Sequence, residues 1–307
     1  MARTATRGKR RSPSASPPAD WDIPRVVHLY ADPSSGTLRV GEIADHFRDE
    51  LGIPCDVRED FFSHHGGPDR EALARAIAAT RVRNIMRPFQ PMEPLFGEVQ
   101  FELRLLDEPA KRVPGILYDA YRYLRLMRDL LPPRERTLRA LHVAFEHRIL
   151  GTFDEDGRYH ARAVVCGYPS VVSTSGIVEG PAKPAAYYKV KAQLSIALGA
   201  IPFDAAKEPF KGQFIDYDDP RLTRVATGYA LQAAMYHITK EPFCEDPDCR
   251  LFNAHWQAEL IRAQVQSHRL CQRHREIARR VARAEPSAKG LSREPASGRR
   301  ESHGRGR

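Results

Sequence analysis

The stretch DDPRLTRVATGYALQAAMYHITKEPFCEDPDCRLFNAHWQAELIRAQVQSHRLCQRH, residues 218–274, decides how this 307-residue chain is read. It opens with a helix signal. Asp218 or Asp219 can cap, Pro220 suits a first turn, and Leu222, Val225, Ala226, Tyr229, Ala230, Ala233 and His237 share one broad face. The helix is expected over 218–240, and a last one over 253–266. Between and after them stands Cys244-x4-Cys249-x21-Cys271-x2-His274. Structural zinc prefers four thiolate or imidazole ligands in a tetrahedron. Two ligand pairs joined by a spacer of helix length are how such sites are assembled. The first pair sits on a turn with Pro247. The second follows a helix end, so that helix can fold back and join the pairs. His268 is the rival fourth ligand, and ordinary buried thiols are the plain alternative.

Working back from this segment, RVVHLYA (25–31), GEIADHFRDELG (41–52), CDVRE (55–59) and DREALARAIAATRVRN (69–84) read as strand, helix, strand and helix, the start of an α/β fold. Pro88, Pro91 and Pro94 mark a loop, and VQFELRLL (99–106) reads as a strand. GILYDAYRYLRLMRDLL (115–131) reads as an amphipathic helix whose Tyr118, Tyr121 and Tyr123 suit core packing. LRALHVAFEHRI, RYHARAVVCG and SVVSTSGIVE, with turn signals between them, predict an antiparallel meander over 138–178. Residues 185–199 read as a helix. The fold class is therefore α/β with an α+β tendency, a mixed sheet with packed helices and a zinc-stapled C-terminal helix.

Composition excludes several classes. Apolar residues make up 42% and charged residues 28%, as in ordinary globular domains, and no run approaches the ~20 apolar residues of a membrane span. The first residues are basic and then Ser/Pro-rich with no apolar segment, so no secretory signal is read there. The five cysteines, an odd count, suit a reducing, cytoplasmic setting better than a disulfide framework. The formal charge of +9 is confined to the ends: residues 1–20 sum to +4 and 275–307 to +6, leaving 21–274 at −1. The expected organisation is a disordered basic tail (1–20), an α/β body (21–217), a helix-plus-zinc unit (218–274) and a second basic tail (275–307). Such tails could hold nucleic acid electrostatically, although charge runs are usually solvated ends.

The 218–274 segment resembles the archaemetzincins, metzincin-like zinc metallopeptidases with H-E-x-x-H-x-x-G-x-x-H-C, then x4-C-x-M, and later C-x2-C. The blocks YHARAVV (159–165), SGIVEGPAKP (175–184) and CEDPDCRLFNAHWQAELIRAQ (244–264) also look like an uncharacterised prokaryotic family described only as metallopeptidases. The resemblance implies a metzincin-like sheet and a structural zinc on Cys244, Cys249 and Cys271, with His274 standing for the fourth cysteine. It also exposes a loss. The catalytic positions hold Ala233, Ala234, His237, Lys240 and Phe243, and Leu251 replaces the methionine. A catalytic zinc needs three protein ligands, an open water position and a carboxylate base, and alanine supplies none of these.

The reading that follows is a cytoplasmic, archaemetzincin-like protein with one structural zinc ion, no assigned catalytic residue and a peptide or protein partner. His237 is either a leftover ligand or a core histidine. Glu179 could supply a carboxylate to a rebuilt metal centre, with His160 or His255, but Gly176, Gly180, Pro181 and Pro184 suit a plain turn. Lys183, Tyr187, Tyr188 and Lys189 could line a pocket or simply be solvated helix positions. A rebuilt metallohydrolase and a nucleic-acid-associated zinc protein are the alternatives.

Overall fold

The computed structural model describes residues 17–113, 115–198 and 203–284. Most of each basic tail, and with it the nucleic-acid expectation, lies outside these residues. The chain runs β1 (Val26–Tyr30), α1 (Val40–Leu51), β2 (Cys55–Arg58), α2 (Phe61–His65), α3 (Arg70–Ala78), α4 (Phe96–Asp107), β3 (Leu117–Asp119) and α5 (Ala120–Leu130). It continues with β4 (Ala140–Glu146), β5 (Ile149–Phe153), β6 (Tyr159–Arg162), β7 (Val164–Val165), β8 (Ser170–Ser173), α6 (Thr174–Glu179), α7 (Ala185–Leu198) and α8 (Phe203–Lys207). It closes with α9 (Leu222–Thr239), α10 (Gln257–Leu260), a π-helical segment (Ile261–Ser267) and α11 (Gln272–Ala282). No helix among the described residues is long and apolar enough to cross a membrane.

The main sheet has the order β2-β1-β4-β8-β7, parallel except for β7, and a smaller sheet has the order β3-β5-β6. Side chains alternate across a strand, so each face of the main sheet carries its own core. Val27, Leu29, Leu141, Val143 and Val172 face α1, α9 and the C-terminal cysteine segment. Tyr30, Ala144 and Val171 face α2, α3 and α5 on the other side. Helix α9 is buried nearly all round, which matches its apolar sequence.

This mixed α/β arrangement agrees with the expected class, and several local expectations change. Residues 99–106 are helical: Val99, Glu102, Leu105 and Leu106 form one buried face, and Glu98 Oε2 accepts from the Leu95 N–H at the helix start. The partial alternation of VQFELRLL concealed that helical spacing. The expected meander survives only as the antiparallel pairs β5–β6 and β7–β8, because β4 pairs in parallel with both β1 and β8. SVVSTSGIVE is strand only to Ser173, whose hydroxyl then caps α6 by accepting from the Gly176 N–H at 2.8 Å. Tyr121 is 67% exposed, outside the core that holds Tyr118 and Tyr123. The last expected helix is α10 running into the π-helical segment. From 275 the chain remains helical through Ala282 of α11, where a tail was expected.

Candidate functional site

Lys240, in the left-handed conformation, ends α9 and releases the chain into the cysteine loop. A tight turn from Asp246 to Cys249 follows, with Cys249 N–H donating to Asp246 O and Asp248 N–H to Asp246 Oδ1. Arg250 N–H donates to Arg269 O at 2.8 Å, which ties this turn to the segment entering α11. Cys271 is the residue before the first turn of α11, and His274 lies within that turn. The fold thus brings both halves of the Cys-Cys…Cys-His pattern together.

The four ligand atoms of Cys244, Cys249, Cys271 and His274 lie within 4.8 Å of one another. Cys244 Sγ is 3.8 Å from Cys271 Sγ, and Cys249 Sγ is 3.6 Å from His274 Nδ1. A zinc tetrahedron with Zn–S of about 2.3 Å and Zn–N of about 2.0 Å has S···S edges of about 3.8 Å and S···N edges of about 3.5 Å. The Cys271 Sγ to His274 Nδ1 distance, 3.1 Å, is shorter than that edge and would open as a metal entered. Two backbone N–H groups already point at sulfur: Asp246 N to Cys244 Sγ and Cys271 N to Cys249 Sγ, both at 3.4 Å. Such donors favour thiolate over thiol. Burial works the other way, pushing the Cys249 thiol up to about 12, so a metal would have to displace its proton. Burial also keeps His274 neutral, as a ligand must be. The donor set and spacing fit a structural zinc. His268 is turned elsewhere, its ring 6.3 Å from that of His46.

The remaining sequence candidates do not gather. Ala233 and Ala234 are fully buried, and Leu251 fills core. His237 is a core histidine whose Nε2 meets the Leu138 carbonyl at 2.8 Å; the carbonyl can only accept, so Nε2 carries the proton. Lys240 Nζ donates to Asp22 Oδ2 at 2.6 Å, and Phe243 is 41% exposed. Glu179 pairs with the buried Lys183 at 3.1 Å, His160 with Asp156 at 2.9 Å, and His255 is exposed. Tyr187 is buried, while Tyr188 and Lys189 are exposed.

A second group was not anticipated. His28, Glu135 and His142 offer ligand atoms within 4.8 Å of one another. The signal was present in RVVHLYA and LRALHVAFE, but only the β1–β4 register sets His28 beside His142. Hydrogen-bond accounting argues against a ready metal site there. His142 Nε2 lies 3.1 Å from the Glu135 carbonyl and must carry the proton, so its Nδ1 accepts from Tyr30 Oη at 2.9 Å. That leaves no lone pair on His142. Arg58 already holds Glu135 Oε2 at 2.7 Å and Tyr30 Oη at 3.0 Å, placing a fixed cation where a metal would go. Burial holds His142 far down, to about 3, so it stays neutral.

No curated protein matches the chain. Among solved structures it is similar to the crystal structure of archaemetzincin from Methanopyrus kandleri, at 12% identity and a TM-score of 0.40, covering 84% of this chain and 96% of that one. The match to a family is far broader than the cysteine segment, since it spans residues 24–281 and therefore nearly all of the described residues. On that match, the chain belongs to the Probable metallopeptidase family (DUF6775).

Proposed function

We propose that this protein is a non-catalytic member of its metallopeptidase family, which keeps one structural zinc on Cys244, Cys249, Cys271 and His274 and acts by binding a peptide or a protein. One observation carries the reading: Ala233 and Ala234 are sealed in the core, and the single retained histidine, His237, is committed to the Leu138 carbonyl. Zinc, when bound, would cross-link the loop after α9 to the start of α11. The chain's own groups prepare that link by aiming backbone N–H groups at two of the sulfurs. The binding role is supported by Ile85, Met86, Met92, Leu95 and Phe96, each at least 55% exposed within one short segment. Exposed apolar side chains grouped in this way suit an apolar partner segment. A cytoplasmic location agrees with three thiols that must stay reduced to hold a metal.

A second reading, a metallohydrolase with a rebuilt centre, rests on the closeness of His28, Glu135 and His142, and it requires His142 and Glu135 to give up the hydrogen bonds described above. Elemental analysis of the purified, tag-free protein separates the two. One zinc per chain, released only on unfolding, with no hydrolysis of a broad casein-derived substrate, is the expected result. Two ions, one easily chelated, with chelator-sensitive hydrolysis would overturn the non-catalytic reading. No metal at all would overturn the zinc site.

A further inference from the structure

The carboxyl ends of the parallel strands form a crevice that shares no residue with the cysteine group. After β1 the chain crosses by α1 on one face of the main sheet; after β2 it passes through α2, α3 and α5 on the other. Strand β1 lies between β2 and β4, so the winding reverses between β1 and β4. Open α/β sheets present a crevice beyond their strand ends at such a reversal. Here Asp32 follows β1, Asp60 follows β2, and Glu146, His147 and Arg148 end β4 and turn the chain into β5. They line a cavity of about 20 Å3, room for one water-sized group.

His147 gives this cavity its character. Its Nδ1 lies 3.3 Å from Glu146 Oε1, an electrostatic contact that favours the proton on Nδ1 and the lone pair on Nε2. The residue is only 5% exposed, and Nε2 has no hydrogen-bond partner. Buried polar atoms of native proteins are nearly always paired, and an orphan calls for a water or a ligand. Burial and the nearby Arg148 hold His147 down to about 4, so the ring is neutral. Three carboxylates against one guanidinium leave the lining at −2. Outside the lining, Arg112 is held by Asp218 at 2.9 Å and by the Ser34 carbonyl at 2.6 Å, while its Nε and Ser35 Oγ are buried without partners.

We propose that this crevice binds a primary ammonium group. One N–H of that group donates to His147 Nε2, and its charge rests among Asp32, Asp60 and Glu146. An α-amino group and a lysine ε-amino group share this chemistry.

The test is an NMR titration of the full, zinc-loaded chain carrying labelled histidine, with His147 assigned by its loss in His147→Gln. The probes, at constant ionic strength, are n-butylammonium, n-butanol, glycinamide, N-acetylglycinamide and Nα-acetyl-lysinamide. The expected result is a saturable shift of the His147 ring nitrogens with the amines and none with butanol or N-acetylglycinamide. Asp60→Asn keeps the α2 cap but removes a charge, and should weaken binding about threefold to tenfold. Tighter binding of glycinamide than of Nα-acetyl-lysinamide assigns the α-amino source, and the reverse assigns the ε-amino source. A His147 signal unmoved by every amine, or moved equally by butanol, overturns the proposal and leaves a cavity for water alone. An unchanged affinity in Asp60→Asn overturns the electrostatic part.

Discussion

Replacing Cys249 by serine should release α11 from the body of the protein. Cys249 is fully buried, stands 3.6 Å from His274 Nδ1 and receives the Cys271 N–H. Helix α11 has 11 residues but buries only His274, Ala278 and Val281. A buried valine contributes about 1.5–3 kcal/mol and alanine less. Ordering each backbone residue costs roughly 1–2 kcal/mol. The helix's own hydrogen bonds offset part of that cost, and the shortfall must be met by the cross-link at its start. A zinc site filled at about 1,000 times its dissociation constant adds about 4.1 kcal/mol to stability. At roughly 2–4 °C per kcal/mol, the expected fall in Tm is about 8–16 °C. Thermal unfolding at fixed free zinc measures it, with zinc per chain determined on the same samples. Hydrogen exchange should show 272–282 opening before the sheet. The control is Cys166→Ser, which lies outside the group and should keep both its zinc and its exchange pattern. A Cys249→Ser protein with wild-type zinc content and an unchanged Tm would refute the reasoning.

Other expectations follow from the same geometry. His237→Ala should leave zinc content unchanged and cost about 0.5–1.5 kcal/mol, since it removes one part-buried hydrogen bond to the Leu138 carbonyl; loss of metal or of a hydrolytic activity would return His237 to a catalytic role. Glu102 is fully buried between Arg81, Arg148 and Tyr118 Oη. Glu102→Leu should cost about 3–5 kcal/mol in urea unfolding, because it strands buried guanidinium groups, and a cost below about 1 kcal/mol would contradict that account. Acid should also destabilise the fold through His142. Burial holds its folded value at about 3, below the ordinary 6.5, so between these limits the unfolded chain binds a proton that the folded chain refuses. Its contribution is complete above pH 6.5 and is lost as pH falls, by about 2 kcal/mol at pH 5. Urea unfolding at pH 7.5 and pH 5 should show that loss and a correspondingly shallower one in His142→Gln; equal slopes would remove His142 from the effect.

Local pattern carried much of this molecule. The apolar run of α9, the glycine stop of α1 at Gly52 and the Cys244–His274 spacing were all legible, because capping, periodicity and ligand spacing act over a few residues or one helix length. The lack of ligand atoms at Ala233 and Ala234 was legible too, since alanine offers no donor atom wherever it lies. Other features were settled only when distant segments met. VQFELRLL became α4 because its buried face found α3 and because Glu102 met Arg81 and Arg148. Strand β4 became the centre of a parallel sheet, although its neighbours in sequence suggested a meander, because strand order depends on pairings across more than a hundred residues. His28 and His142 became neighbours through register alone, and His147 became a buried, unpaired acceptor only because the chain turns from one sheet to the other there. A sequence states which atoms a residue can offer; which of them are already satisfied is decided by contacts that have no local signature.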